Sequence, residues 1–584
     1  MIFNDLEYNV EINDPKTHIV KVKLSVKLPS DFKLNRLAFY LPSWSPGSYL
    51  MREYARNLRA IRAYDQSGVD LWIEKKAKSI WEVDFIKLGQ SQKVSEISLQ
   101  YEIYCHELSV RTSYINENHA FLHGPTYLMG ILDSEIVNPI LKIKFPSSWQ
   151  KISTGLKDIS TQRSEFVYGS INYDELIDAP IEIGNQITDG FNLKGRDHFL
   201  CYYGSHFEAA TLPGSNLKQD IKKIVEVVSR PFGDTLPYDN YTFIFQFLPR
   251  IYGGLEHLNS TAIHFDGMTL AKRQDYVSFL ALVAHEYFHT WNVKRIRPKV
   301  LGPFNYLEEG YTSLLWLAEG LTSFMDELFV YRASLCTLDE YLNMQKDNLK
   351  KYLSIPGKKF QSLHDSSFDA WIKLYRPDEN SFNTTMSYYL KGGIVFFCFN
   401  IMLVEQGKNI DDFLKLLWKR YLDNPKVGMD ETEVFELIEK MSDKKTREKM
   451  EEMVNMTSDI DLEDYCKRMG LRFKWSTESK PYLGIQTEIK DGAIFISQVT
   501  LDGPGYKSGL NAGDEIIAIN GWRVTRDSIG RINDYLALNK TYPMIVSRLG
   551  VIQELQIHID GTPRELEKIE IVDINLVNTF LVGR

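Results

Sequence analysis

Residues 277–289 read VSFLALVAHEYFH. The first eight are apolar except Ser278, without glycine or proline, so the pattern predicts a buried helix running straight into His285-Glu286-Tyr287-Phe288-His289. Histidines at i and i+4 share one helix face about a turn apart, and both ring nitrogens can converge on one metal ion. The glutamate beside the first histidine then reaches a water next to that ion. Neutral nitrogen ligands, an open coordination position and an adjacent base are what a hydrolytic zinc requires. The competing reading, two histidines on an ordinary helix, leaves buried imidazoles still needing polar partners.

A hydrolytic zinc takes three protein ligands, and in one large class the third is a glutamate on a following helix. Glu308 lies 19 positions after His289 and Glu319 lies 30. Glu319 sits inside LLWLAEGLTSF, residues 314–324, an apolar stretch read as a buried helix in which a carboxylate needs a partner. Glu308 and Glu309 follow a Gly302-Pro303 loop and read as solvated. The expected ligand set is therefore His285, His289 and Glu319, with one zinc per chain and Glu286 as general base.

HEYFHTWNVKRIRP, residues 285–298, followed by LLWLAEGLTSF, resembles the glycyl aminopeptidase family, gluzincin zinc metallopeptidases with a C-terminal PDZ domain. Ser45-Pro46-Gly47-Ser48-Tyr49 and Asp174-Glu175-Leu176-Ile177-Asp178-Ala179-Pro180 resemble further signatures of that family. The resemblance implies an enzyme that removes small N-terminal residues, glycine or alanine, from peptides. It also assigns two further motifs. In Gly253-Gly254-Leu255-Glu256-His257, the resemblance implies that Glu256 binds the free α-amino group of the substrate, with Gly253 and Gly254 as substrate-binding backbone. In Tyr388-Tyr389-Leu390-Lys391-Gly392-Gly393 it implies that Tyr389 stabilises the oxyanion, with Tyr388 as the alternative one register away. Taken locally, GGLEH also reads as a glycine turn with a surface glutamate, and Tyr388 and Tyr389 as core tyrosines.

The rest of the chain sets the frame. Its 584 residues predict several domains. A formal charge of −9 argues against nucleic acid as a partner. No apolar run approaches the ~20 residues of a membrane span, so no membrane partner is expected. The N-terminus MIFNDLEYNVEI has no signal-peptide pattern, which points to a cytoplasmic protein. Five widely spaced cysteines argue against disulfides or a cysteine metal site and read as mostly buried thiols.

Early segments alternate with period two, as in Val20, Val22, Leu24 and Val26 against Lys21, Lys23, Ser25 and Lys27. The expected fold class is multidomain α+β. An N-terminal β-sandwich spans 1–175, a thermolysin-like, mainly helical catalytic domain 176–465, a PDZ domain 466–560 and an unassigned tail 561–584. The PDZ reading rests on the stretch GLNAGDEIIAING, residues 509–521. Leu483, Gly484 and Ile485 would form the loop that receives a peptide C-terminus. Peptide substrates and peptide C-termini are the expected partners. A zinc endopeptidase whose PDZ domain recruits substrates is the alternative enzyme, and a PDZ adaptor with a degenerate protease body is the non-enzymatic one.

Overall fold

The computed structural model describes residues 1–30, 32–85, 94–162, 165–204 and 216–582. It divides into two compact units. One comprises Met1–Tyr311 with Phe329–Leu335 and Leu414–Asp430; the other comprises Thr312–Leu328, Cys336–Phe413 and Glu431–Arg584.

The first unit begins with a β-rich domain. Its large sheet includes strand Ile19–Lys27, paired antiparallel with Glu96–Tyr104 in register Val22↔Tyr101. The period-two pattern places Val20, Val22, Leu24 and Val26 in the core, each at most 2% exposed, while Lys21 and Lys23 face out. A four-stranded sheet orders Lys151–Thr154, Ile181–Gly184, His119–Leu122 and Tyr114–Ile115. Strand Ile181–Gly184 thus joins this sheet although it lies beyond residue 175.

The same unit holds a five-stranded sheet in the order Ile187–Leu193, Arg196–Tyr203, Asn240–Phe247, Ser260–Phe265, Tyr252–Glu256. The GGLEH motif therefore forms a strand rather than a turn, and that strand is the sheet edge. Helix Arg273–Phe288 follows and carries the HExxH turn.

The second unit is helical, then β. Residues 314–324 do not form the single α-helix expected from their apolar pattern: Trp316–Gly320 is a π-helical turn leading into helix Leu321–Arg332. Helix Tyr388–Glu405 crosses this turn glycine on glycine, and a Cβ on Gly320 would stand 2.6 Å from the Gly392 Cα. The span Ser381–Glu405 has the length and apolarity to cross a membrane, more than the sequence reading allowed, but 72% of its apolar 18-residue window is buried inside the protein. It is a core helix.

The PDZ sheet orders Ile485–Lys490, Ala493–Val499, Glu515–Ile519, Thr541–Arg548 and Val551–His558 around a core that includes Leu483, Ile496 and Met544. Asn383 ties this sheet to the helical layer: its amide donates to Val499 O at 2.8 Å and accepts from Leu501 N at 2.8 Å. Much of the segment after 561 is regular structure. Leu566–Ile571 pairs with Leu471–Trp475, and helix Ile574–Leu581 presents Phe580 O to the Asn400 amide at 3.1 Å. Residues 583 and 584 of that segment lie outside the described residues. All five cysteines are free and buried.

Candidate active site

The HExxH helix sets the first donors. The His285 and His289 rings lie 4.7 Å apart, centroid to centroid. His289 is buried, and its Nδ1 stands 2.6 Å from Asn292 O. A carbonyl only accepts, so Nδ1 carries the proton, and in the neutral ring the lone pair is on Nε2. This is the tautomer a metal-ligating histidine needs.

Two carboxylates meet this histidine. Donor atoms of Glu256, Glu286 and His289 all lie within 4.8 Å of one another, and all three residues are buried. Buried carboxylates this close need positive charge nearby. A divalent cation on the imidazole side and an ammonium group on the Glu256 side both meet that need, so the residues fit a metal and an N-terminal amine. Among the described residues, Glu256 Oε1 is buried without a hydrogen-bond partner, a lack that such an ammonium would meet.

Two glycines make this packing possible. A Cβ on Gly254 would fall 1.9 Å from Glu286 Oε1, so the edge strand lies directly on the carboxylate of the expected base. A Cβ on Gly47 would fall 2.5 Å from both Glu256 oxygens, and Gly47 has φ +82°, a conformation costly for any other residue. The turn Ser45-Pro46-Gly47-Ser48-Tyr49 thus closes over the Glu256 carboxylate. Gly253 differs from its neighbour: a Cβ there meets only Arg111 Nη1 and Val110 Cγ2, both at 3.7 Å. Arg111 anchors the strand by donating from Nη2 to Gly254 O at 3.1 Å.

Behind Glu256, the Asp178 of the DELIDAP signature braces the end of the strand. Its carboxylate accepts from Leu258 N at 2.7 Å and Lys294 Nζ at 2.7 Å, and lies 3.3 Å from His257 Nδ1. Burial alone would raise its pKa, but Lys294 and His257 hold the carboxyl well below the usual carboxylate range. The sequence pointed to both signatures without giving either a role. The signal for Gly47 was its Pro-Gly turn, which the chain uses to approach a carboxylate more than 200 positions away.

The second unit holds the other expected residues. Glu319 is buried in the π-turn, 2% exposed, whereas Glu308 and Glu309 are exposed, as their loop setting suggested. Tyr388 is fully buried in the core, while Tyr389 is only partly buried and lines a cavity with Ser323 and Ser387. The Tyr389 hydroxyl lies 3.4 Å from that of Tyr375. Burial first, and the Glu319 carboxylate next, push the Tyr389 phenol well above its ordinary pKa, so it stays a proton donor. In the PDZ sheet, Gly484 has φ +70° and its carbonyl accepts from Thr500 N at 2.8 Å. The Leu483 carbonyl accepts from Gly505 N at 2.8 Å, and Ile485 opens the exposed edge strand.

The model of the M61 glycyl aminopeptidase matches residues 278–395, that of the peptidase M61 N-terminal domain residues 7–185, and that of the PDZ domain residues 459–529. The crystal structure of an aminopeptidase N family protein from Idiomarina loihiensis is similar with a TM-score of 0.90 at 25% identity, covering 99% of this chain and 100% of that one. An M1 zinc metallopeptidase from Deinococcus radiodurans shares the fold with a TM-score of 0.51 at 12% identity, over 79% of this chain and 95% of that one. No curated protein matches the chain by sequence.

Proposed function

Because this chain is a peptidase that carries the M61 N-terminal and glycyl aminopeptidase domains together with a PDZ domain, we propose that it is a zinc-dependent aminopeptidase. It releases N-terminal residues, glycine and alanine among them, from peptides. The observation that carries this reading is the meeting of Glu256, Glu286 and His289 between an edge strand and the HExxH helix.

One zinc per chain is held by His285, His289 and Glu319. Two imidazoles and a carboxylate are a set that hydrolytic zinc takes, leaving a position open. When bound, the zinc polarises the scissile carbonyl and acidifies the attacking water. Glu286 takes the proton of that water and delivers it to the leaving amine. The Tyr389 phenol donates to the developing oxyanion, where a placed donor counts most. Glu256 holds the substrate's ammonium by a charge-assisted hydrogen bond. The outer side of strand Tyr252–Glu256 offers backbone groups to an extended peptide. Leu483, Gly484 and Ile485 receive the C-terminal carboxylate of longer peptides, as the open edge of their sheet supports.

The buried carboxylate of Glu256 favours this exopeptidase over an endopeptidase. Held in place by the Gly47 turn, it matches a free N-terminal ammonium and not a neutral peptide nitrogen. The test is hydrolysis of one peptide with a free and with an acetylated N-terminus. The free peptide is cleaved at its first bond; acetylation lowers kcat/KM by about 10–150-fold, the loss of a charge-assisted bond. Equal rates on both, with internal cuts, would support the endopeptidase instead.

A further inference from the structure

A cavity of about 170 Å³ opens beside Glu256 in the first unit. We infer that it receives the side chain of the substrate's N-terminal residue, and that the enzyme therefore accepts apolar side chains larger than alanine. The inference rests on the aminopeptidase reading, because an amine held on Glu256 is what brings that side chain to these walls.

The walls are apolar: Pro46, Ile177, Leu258, Val293 and Phe304. An apolar cavity of about 150 Å³ holds a benzene molecule, so a leucine, methionine or phenylalanine side chain fits. A glycine-only site needs no such space. Apart from Glu256, which is kept for the amine, the charged groups in the lining already have partners, Glu175 accepting from Ile171 N. Lys294 Nζ lies 2.7 Å from Asp178 Oδ1, and the Tyr306 hydroxyl donates to Asp174 Oδ1 at 2.7 Å. Arg297 donates from Nη1 to Gly302 O at 2.6 Å and from Nη2 to Lys426 O at 3.0 Å. A charged side chain entering here gives up its water to walls whose surface is mostly apolar. The walls also come from stretches distant in sequence, among them the turn at 45–49, helix Tyr173–Asp178 and the segment after the HExxH helix. The two family signatures of the N-terminal half thus converge on one binding surface.

The test is kcat/KM on p-nitroanilides of glycine, alanine, leucine, phenylalanine, aspartate and lysine. It is run on the parent and on two variants, each checked for folding by thermal melting. Val293→Phe narrows the cavity and Phe304→Ala widens it. In the parent, leucine is hydrolysed at least as well as alanine, while aspartate and lysine fall about tenfold or more below alanine. Val293→Phe lowers the leucine-to-alanine ratio about tenfold, and Phe304→Ala raises the phenylalanine-to-alanine ratio by a similar factor, each change being the burial of a few methylenes. If Val293→Phe does not fold, Phe304→Ala decides alone. Alanine hydrolysed with leucine below about a tenth of it overturns the pocket assignment and leaves the aminopeptidase reading intact. So do ratios that no folded variant moves. No hydrolysis of any of the six overturns the aminopeptidase reading itself.

Discussion

Replacing Gly254 by alanine places a methyl carbon 1.9 Å from Glu286 Oε1, 2.3 Å from its Cδ and 2.7 Å from its Cγ. Ordinary contact begins at 3.4 Å, so the carboxylate and the edge strand must separate by about 1.5 Å. A misplacement of about 1 Å at a reacting group costs ~10²-fold in rate. A general base is worth ~10²–10⁴-fold in all. Gly254→Ala is therefore expected to lower kcat about 100-fold, or roughly 2.7 kcal/mol of barrier, and to cost about 1–3 kcal/mol of stability as an overpacked site. The neighbouring position supplies the control, since a methyl group on Gly253 meets nothing closer than 3.7 Å. Gly253→Ala keeps the parent's melting temperature, and because Gly253 lies in the strand proposed to bind the peptide, its effect falls on KM while kcat stays within about threefold. The assay is steady-state hydrolysis of alanine p-nitroanilide, with melting curves and zinc content measured on the same preparations. If Gly254→Ala turns over like the parent, or if the two variants lose activity equally, the contact between this strand and Glu286 does not position the base.

Two further outcomes follow from the same geometry and one from the PDZ sheet. Glu286→Gln is expected to fold and retain zinc but lose ~10²–10⁴-fold in kcat; near-parent turnover would remove Glu286 from the mechanism. Tyr389→Phe lowers kcat with little change in KM, because its hydrogen bond strengthens in the transition state. Tyr388→Phe, in the core, costs stability instead, and the reverse pattern would shift the register by one. Amidating the C-terminus of a long peptide raises its KM while leaving dipeptide-sized substrates unaffected, and an unchanged KM would show that no carboxylate is read at Leu483, Gly484 and Ile485. Amidation is the cleaner test because truncation after 475 would strip Asn383 of both its backbone partners and unpair Leu471–Trp475.

The β-rich start, the HExxH helix and the PDZ sheet were legible because each depends on a local period: two for strands, an i, i+4 pair on an apolar helix, a compact signature loop. What escaped depended on contacts distant in sequence. Nothing near Gly254 shows that a carboxylate 32 positions later lies on its Cα, and nothing near Gly47 points to Glu256. The π-turn at Trp316–Gly320 was invisible because an apolar stretch reads alike in α and π geometry. It coincides with the close crossing of Gly320 and Gly392, and that crossing was not visible in either segment alone. Glu256 and the two adjoining glycines read locally as a turn, and only the family resemblance singled them out. The strand they form needs Ser260–Phe265 as its partner, with Gly254 opposite Ile263. The segment after 561 carried no motif, and its order comes from pairing with a strand about a hundred residues earlier.

The most direct test of the central claim is to strip the protein of metal with a chelator and titrate zinc back while recording release of the N-terminal residue from a free-terminus peptide. The parent is expected to be inactive when stripped and to regain activity linearly up to one zinc per chain. Glu308→Ala should follow the same line, and Glu319→Ala should neither hold zinc tightly nor recover. Full activity in the stripped protein, or a zinc-loaded protein that leaves free-terminus peptides uncut, would contradict the assignment of a zinc aminopeptidase.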